Sequence, residues 1–266
     1  MRDAVSLAVA QITPLAGDVP ANVVEHLELA RLAADEGATT VVFPELSLTG
    51  YELHLAEKLA FREDDSRLDG LRDLATSAGI TLVVGAPLRG ELGLHIGAAI
   101  LLPHGRHAWY TKRRLGTFPA EARIDSEDGS IPPSEKSVFQ PGVRDPLVSV
   151  GTRQAAIAIC ADIGDATHPQ QSANRGATVY LASMFVIPSD FPGEQAKLSR
   201  YAAQHAMLTA LANFGGPSGS LRSAGRSSIW SEQGELLVQL APAGSGIAIM
   251  RETPSGRTTR TRMLSN

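Results

Sequence analysis

Residues 153–170 read RQAAIAICADIGDATHPQ. Ala155 to Ile159 is an unbroken apolar run, short and bounded by polar residues, as expected of a strand buried on both faces. Gly164 breaks the run, and a helix is predicted over Pro169 to Arg175. ATVYLAS, residues 177–183, repeats the apolar strand pattern. Strand, helix and strand in about 30 residues make a βαβ unit, with parallel strands and the helix across one face.

The same alternation extends in both directions. AVSLAVAQI (4–12) predicts an opening strand. Asn22 to Ala34 carries Val23, Leu27, Ala30 and Ala34 at helical spacing, with Gly37 as the stop. TTVVF (39–43) predicts a buried strand, Leu68 to Ala78 a helix ended by Gly79, and TLVVGAP (81–87) another strand. GAAILLP (97–103) and RHAWYTK (106–112) predict strands joined by a tight turn at His104-Gly105. In the second half, LVSVG and RQAAIAIC are strands separated by Gly151-Thr152. One long helix is predicted from Gln195 to Asn213, before Gly215-Gly216-Pro217. SAGRSSIW (223–230), ELLVQL (235–240) and GIAIMRE (246–252) complete the strands. The fold class is therefore α/β, with a single domain over 1–252. The polar, mildly basic tail over 253–266 is expected to be flexible or docked on a partner. Residues 113–142 are rich in Pro, Gly and charge and predict no regular element, as functional loops often do.

The bulk properties narrow the function classes. The 266 residues are 43% hydrophobic and 20% charged, with a net charge of −4. No basic footprint for nucleic acid is present. No apolar stretch approaches the roughly 20 residues that span a bilayer. The single cysteine excludes an intramolecular disulfide and fits a reducing compartment, so a cytoplasmic location is expected. No His/Cys/Asp cluster has metal-ligand spacing, and neither metal nor cofactor is expected.

Three strand ends carry reactive side chains. Glu45 follows VVFP, at the carboxyl end of a strand, where α/β proteins place their chemistry; a helix cap is the plain alternative. Lys112 ends the WYTK strand where the irregular loop begins, and by itself reads as one of a solvated basic run with Arg113 and Arg114. Cys160 ends the AIAI strand. A buried cysteine is often only a small hydrophobe, but one beside a helix start and a cation becomes a nucleophile.

Taken in order, FPE-(x)3-TGY, Y-x-K and an apolar strand ending in Ile-Cys resemble the nitrilase superfamily, the carbon–nitrogen hydrolases. The resemblance spans nearly the whole chain. It includes Ala10-Gln11, the GAP strand end, Phe139-x-Pro141-Gly142, Ala212-Asn213 and G-x-S-x-I over 225–229.

The resemblance implies a four-layer α-β-β-α sandwich and a Glu-Lys-Cys triad of Glu45, Lys112 and Cys160, with the Ala161 N–H as a second oxyanion donor. It also implies a second glutamate in the loop after the lysine. Glu121 is the best match, and Glu127 the weaker one. The implied reaction is hydrolysis of a small linear amide or N-carbamoyl compound through a cysteine thioester, with nitrile hydrolysis by the same triad as the alternative. A catalytically weak binding or regulatory protein on this fold is the alternative of another class. A homodimer or higher homo-oligomer is expected, with only a small-molecule substrate as ligand. Two departures stand out. The aromatic that often follows the nucleophile is replaced by Ala161, and the R-A-x-E-N stretch of the long helix reads Tyr201-Ala202-Ala203-Gln204-His205. His168 offers a Cys-His pairing as a lesser option. The pocket wall is expected to draw on Tyr51, Phe118, Met184 and Phe185; no clear arginine clamp demands a carboxylated substrate, although Arg113, Arg114 and Arg123 are near enough in sequence to be candidates.

Overall fold

The parallel centre of the first sheet is built from three buried strands, β1 (Ser6–Gln11), β2 (Thr40–Val42) and β3 (Thr81–Arg89). The computed structural model describes residues 5–91, 93–253 and 255–264; the first residue of the strand expected over 4–12 lies outside them. Helices α1 (Val19–Asp35), α2 (Ala56–Leu59) and α3 (Asp69–Ala78) connect these strands, and α1 packs against α3. The chain then turns back through β4 (Leu94–Leu101) and β5 (His107–Thr111), both antiparallel to their predecessors. Two reversals return β5 to the direction of β3. Lys112, at the end of β5, therefore emerges on the same edge as Glu45, beyond β2.

The second sheet repeats this plan. It contains β6 (Val148–Val150), β7 (Arg153–Ile159), β8 (Val179–Ser183), β9 (Leu208–Ala212), β10 (Ser228–Trp230) and β11 (Leu236–Gln239), with β7, β8 and β9 parallel. Helices α4 (Thr167–Asn174) and α5 (Phe191–His205) cover it and contact each other. The apolar run of β7 divides by alternation. Ala155, Ile157 and Ile159 join the core between the sheets, whereas Ala156 and Ala158 lie under Leu198, Tyr201 and Ala202 of α5. A strand buried on both faces cannot alternate apolar with polar, and its sequence does not. The result is a four-layer α-β-β-α sandwich.

Two expectations are corrected. The single helix expected over Gln195–Asn213 ends at His205. Ala206 takes a left-handed conformation (φ 50°), and Leu208–Ala212 become β9, paired to β8 on one side and β10 on the other. A short apolar run does not distinguish a buried helix from a buried strand, and the vacancy between β8 and β10 decides for the strand. The tail expected to be flexible or partner-docked instead continues the first sheet. After β12 (Gly246–Thr253), β13 (Gly256–Met263) pairs antiparallel along its full length and forms an exposed edge. Arg260 and Arg262 of β13 pair with Glu36 at the end of α1.

A buried polar network ties the sheets together. Gln11 Nε2 donates to Ala241 O and Gly244 O, and Gln11 Oε1 accepts from Ser227 N. Ser227 Oγ accepts from Asn213 N. The Asn213 side chain in turn accepts from Val186 N and donates to Gly225 O. The Ala10-Gln11, Ala212-Asn213 and G-x-S-x-I fragments, far apart in sequence, are one hydrogen-bonded cluster.

Candidate active site

Glu45, Lys112 and Cys160 meet where the carboxyl ends of β2, β5 and β7 face each other across the two sheets. Their backbones are held in unusual shapes. Cys160 has φ 42°, and Leu46, just after Glu45, has φ 51°. Such left-handed conformations in non-glycine residues persist where the surroundings enforce them. Gly85 of β3 is one enforcer. A Cβ there would lie 2.2 Å from Pro44 O and 2.5 Å from Leu46 N, so only glycine lets β3 approach the Glu45 turn. Gly142 does the same beside β5, where its N–H donates to Lys112 O. The GAP and F-x-P-G fragments thus each contribute a close backbone approach to the site.

Behind the Glu45 turn, His26 stacks on Phe43 at 4.3 Å. One of its ring nitrogens lies 2.6 Å from Asn22 O and the other 2.8 Å from Ser47 Oγ. A carbonyl can only accept, so Nδ1 carries the proton and Nε2 accepts from the serine. Burial lowers the His26 pKa to about 4, so the ring is neutral.

Lys112 and Glu45 are both fully buried. Lys112 Nζ donates to Glu45 Oε1 at 2.6 Å and to Glu135 Oε1 at 2.7 Å. Glu135 also accepts from Tyr51 OH and from the Gly116 N–H. Glu45 Oε2 is buried with no hydrogen-bond partner among the described residues. Burial raises the Glu45 carboxyl to about 7; Lys112 opposes this shift and Glu135 adds to it. Burial by itself would push Lys112 down, but the surrounding negative groups outweigh it and hold the ammonium charged. Burial, reinforced by Glu45, pushes the Cys160 thiol well up, so it rests as the neutral thiol.

The second glutamate is Glu135. Glu121 and Glu127 are both exposed in the loop. The loop folds back so that the 3-10 turn at Glu135–Ser137, not the one at Ala120–Asp125, reaches the lysine. Glu135 escaped the sequence reading, although buried Phe139, whose N–H donates to Glu135 O, and the nearby Pro132-Pro133 marked an anchored segment.

Cys160 opens into a cavity of about 150 Å³. Tyr51, Phe118, Met184 and Phe185 all line it, as expected. The three rings cluster with centroids 5.1 to 5.8 Å apart, Phe118 edge-on to both Tyr51 and Phe185, and those two tilted against each other. Ala161 lines the floor, and its N–H opens the 3-10 turn Cys160–Gly164, where a first-turn N–H has no carbonyl of its own to bond. Asp190, Glu194 and Lys197 stand at the α5 side of the cavity. None of the three candidate arginines lines it, in keeping with the absence of a clear clamp in the sequence. Arg114 pairs with Asp165, Arg113 with Asp145, and Arg123 is exposed. His168 is likewise no partner of the thiol; it lies between Tyr110 OH and Tyr180 OH.

The family model for carbon-nitrogen hydrolases matches residues 6–262. The chain belongs to the carbon–nitrogen hydrolase family. Among solved structures, this carbon–nitrogen hydrolase is similar to the amidase from Nesterenkonia sp. AN1, of the nitrilase superfamily. A variant of that amidase in complex with butyramide superposes with a TM-score of 0.80 at 26% identity, covering 96% of this chain and 93% of that one. Another variant, carrying the acetamide moiety of fluoroacetamide on its active-site cysteine, gives 0.79 at 26% identity and covers 94% and 91%. Curated relatives include the glutamine-dependent NAD(+) synthetases of Thermotoga maritima, 27% identical over 66% of this chain, and Mycobacterium leprae, 30% identical over 84%. The chain spans only 28% and 35% of those two proteins' lengths. No described helix is long and apolar enough to cross a membrane.

Proposed function

We propose that this carbon–nitrogen hydrolase cleaves the C–N bond of a small linear carboxamide through a thioester on Cys160. The observation that carries this reading is the buried ring of Glu45, Lys112 and Glu135 beside a thiol that opens into a small apolar cavity. The Cys160 thiol rests protonated, so it needs a base. Glu45, titrating near neutrality with a free buried oxygen, is suited to take the proton as sulfur attacks the carbonyl carbon. The tetrahedral oxyanion then accepts from Lys112 Nζ and the Ala161 N–H. Each such donor contributes roughly 3–4 kcal/mol to barrier lowering. Glu45 hands its proton to the leaving nitrogen, ammonia departs and the thioester remains. Water, deprotonated by Glu45, attacks the thioester carbonyl, and the proton returns to sulfur as the carboxylic acid leaves. Glu135 stays out of the proton transfers and holds Lys112 in place.

The cavity volume supports a small acyl group, since a space of about 150 Å³ holds a molecule the size of benzene. A second reading, hydrolysis of the side-chain amide of glutamine, draws on the similarity to glutamine-dependent synthetases and on the α5 side of the cavity. There Asp190 and Glu194 beside Lys197 offer both signs of charge to a zwitterionic amino acid. Ammonia release from aliphatic amides, glutamine, N-carbamoyl amino acids and nitriles, measured for the parent and for Cys160→Ala, tests the proposal. Release lost in the variant supports it, and the preferred compound separates the readings. No release from any compound, with a Cys160 that resists iodoacetamide, would overturn it.

A further inference from the structure

The most heavily bonded carboxylate near the site belongs to Asp162, two residues after the cysteine and fully buried. Its Oδ1 accepts from the Arg113 N–H at 3.0 Å and the Arg114 N–H at 2.7 Å, the two residues after Lys112. Its Oδ2 accepts from the Ile159 N–H at 3.0 Å, the residue before Cys160, and from Tyr110 OH at 2.7 Å, two residues before Lys112. One side chain therefore brackets Lys112 on both sides and grips the strand end that carries Cys160. Lys112 and Cys160 belong to different sheets, and within each sheet the ladder bonds fix only that sheet's own strands. Asp162 is a polar link that spans the gap.

The charge is supported from behind. Tyr110 has one hydroxyl proton and gives it to Asp162, so its oxygen must accept from His168 Nε2–H. His168 Nδ1 then accepts from Tyr180 OH at 2.8 Å. Burial lowers the His168 pKa, consistent with a neutral ring of this tautomer. The dipoles of Tyr180, His168 and Tyr110 all point toward the carboxylate, each bond polarising the next. This arrangement accounts for the buried His168.

We infer that Asp162 is a positioning residue that sets the distance between the Lys112 ammonium and the Cys160 thiol by clamping the two turns that carry them. The inference rests on the hydrolase reading above. Asparagine is the discriminating replacement, because it keeps the size of the side chain but has one acceptor oxygen. If that oxygen faces Arg113 and Arg114, the amide NH2 faces the Ile159 N–H; the reverse orientation loses the lysine turn. Either way the clamp opens on one side.

The test compares the parent with Asp162→Asn in two assays. These are the rate of Cys160 alkylation by iodoacetamide and steady-state hydrolysis of whichever panel amide the parent turns over. The expected result is an alkylation rate down about 10-fold and kcat down about 30-fold or more, with KM within about threefold, as a geometric fault far from the acyl pocket predicts. Alkylation and kcat both within twofold of the parent would overturn the inference, as would a variant that only melts earlier while its folded fraction reacts normally. If Asp162→Asn does not fold, Tyr110→Phe removes one of the four bonds; about a threefold fall in both rates is then expected, and unchanged rates overturn the inference. A parent that releases nothing from the panel while its thiol is alkylated, more slowly in the variant, supports the clamp independently of the substrate reading.

Discussion

Glu135 Oε1 lies 2.7 Å from Lys112 Nζ and 2.6 Å from Tyr51 OH, accepting from both. The lysine is thereby held between two carboxylates, one facing the thiol and one facing the loop. Its ammonium cannot swing out of this position without breaking an ion pair in a fully buried setting, where such pairs are strongest.

Glu135→Gln should lower kcat by roughly 10- to 100-fold, since the new amide nitrogen would face a donor, either Gly116 N–H or the Lys112 ammonium. Glu121→Gln should change activity little, because Glu121 is exposed and away from the lysine. Steady-state kinetics of the two variants, side by side, check this. Equal losses would return the role to the exposed glutamate.

The pH dependence of kcat/KM should fall on the acid side with an apparent pKa of about 7, because in the proposed mechanism Glu45 must be ionised to take the thiol proton. Removing the negative charge of Glu135 favours ionised Glu45. In Glu135→Gln the acid limb should therefore move to lower pH even as the rate drops. A limb unmoved by this substitution would assign the titration to another group.

Gly85→Ala places a methyl group 2.2 Å from Pro44 O, against backbone that cannot step aside. About 1–3 kcal/mol of stability should be lost, visible as a lower Tm, together with most activity because the Glu45 turn must shift. A variant that melts like the parent and hydrolyses normally would refute the role given to this glycine.

His26 has a folded pKa of about 4 against an ordinary value of 6.5. Between those values the unfolded chain binds the proton more readily, so this group's contribution to stability falls as pH drops from 6.5 toward 4. The loss is about 3 kcal/mol in full. Glu45, with its pKa raised, acts in the opposite direction between 7 and 4.5. The His26 contribution is therefore read as the difference between parent and His26→Gln in urea melts across that range. The gap between them should narrow as the pH falls, and a constant gap would contradict the buried neutral ring.

The strand ends were legible because they are local. An apolar run closed by Pro44, by the start of the irregular loop or by Gly164 marks where a buried strand stops, and Glu45, Lys112 and Cys160 stand at those stops. The glycine fragments were legible as motifs, but their reason was not, since a close approach between backbones 41 residues apart, as at Gly85 and Pro44, leaves no local trace.

What the sequence determined by itself was the alternation of buried strands and amphipathic helices, hence the α/β class, and the identity of the three side chains at the strand ends. Tertiary structure decided the rest. Leu208–Ala212 became a strand because a place between β8 and β10 required one, and residues 256–263 became an edge strand because β12 offered unpaired backbone. Glu135 rather than Glu121 reached Lys112 because the irregular loop closes over the cavity. Burial, which has no local code in such a loop, selects the carboxylate that an ammonium can hold.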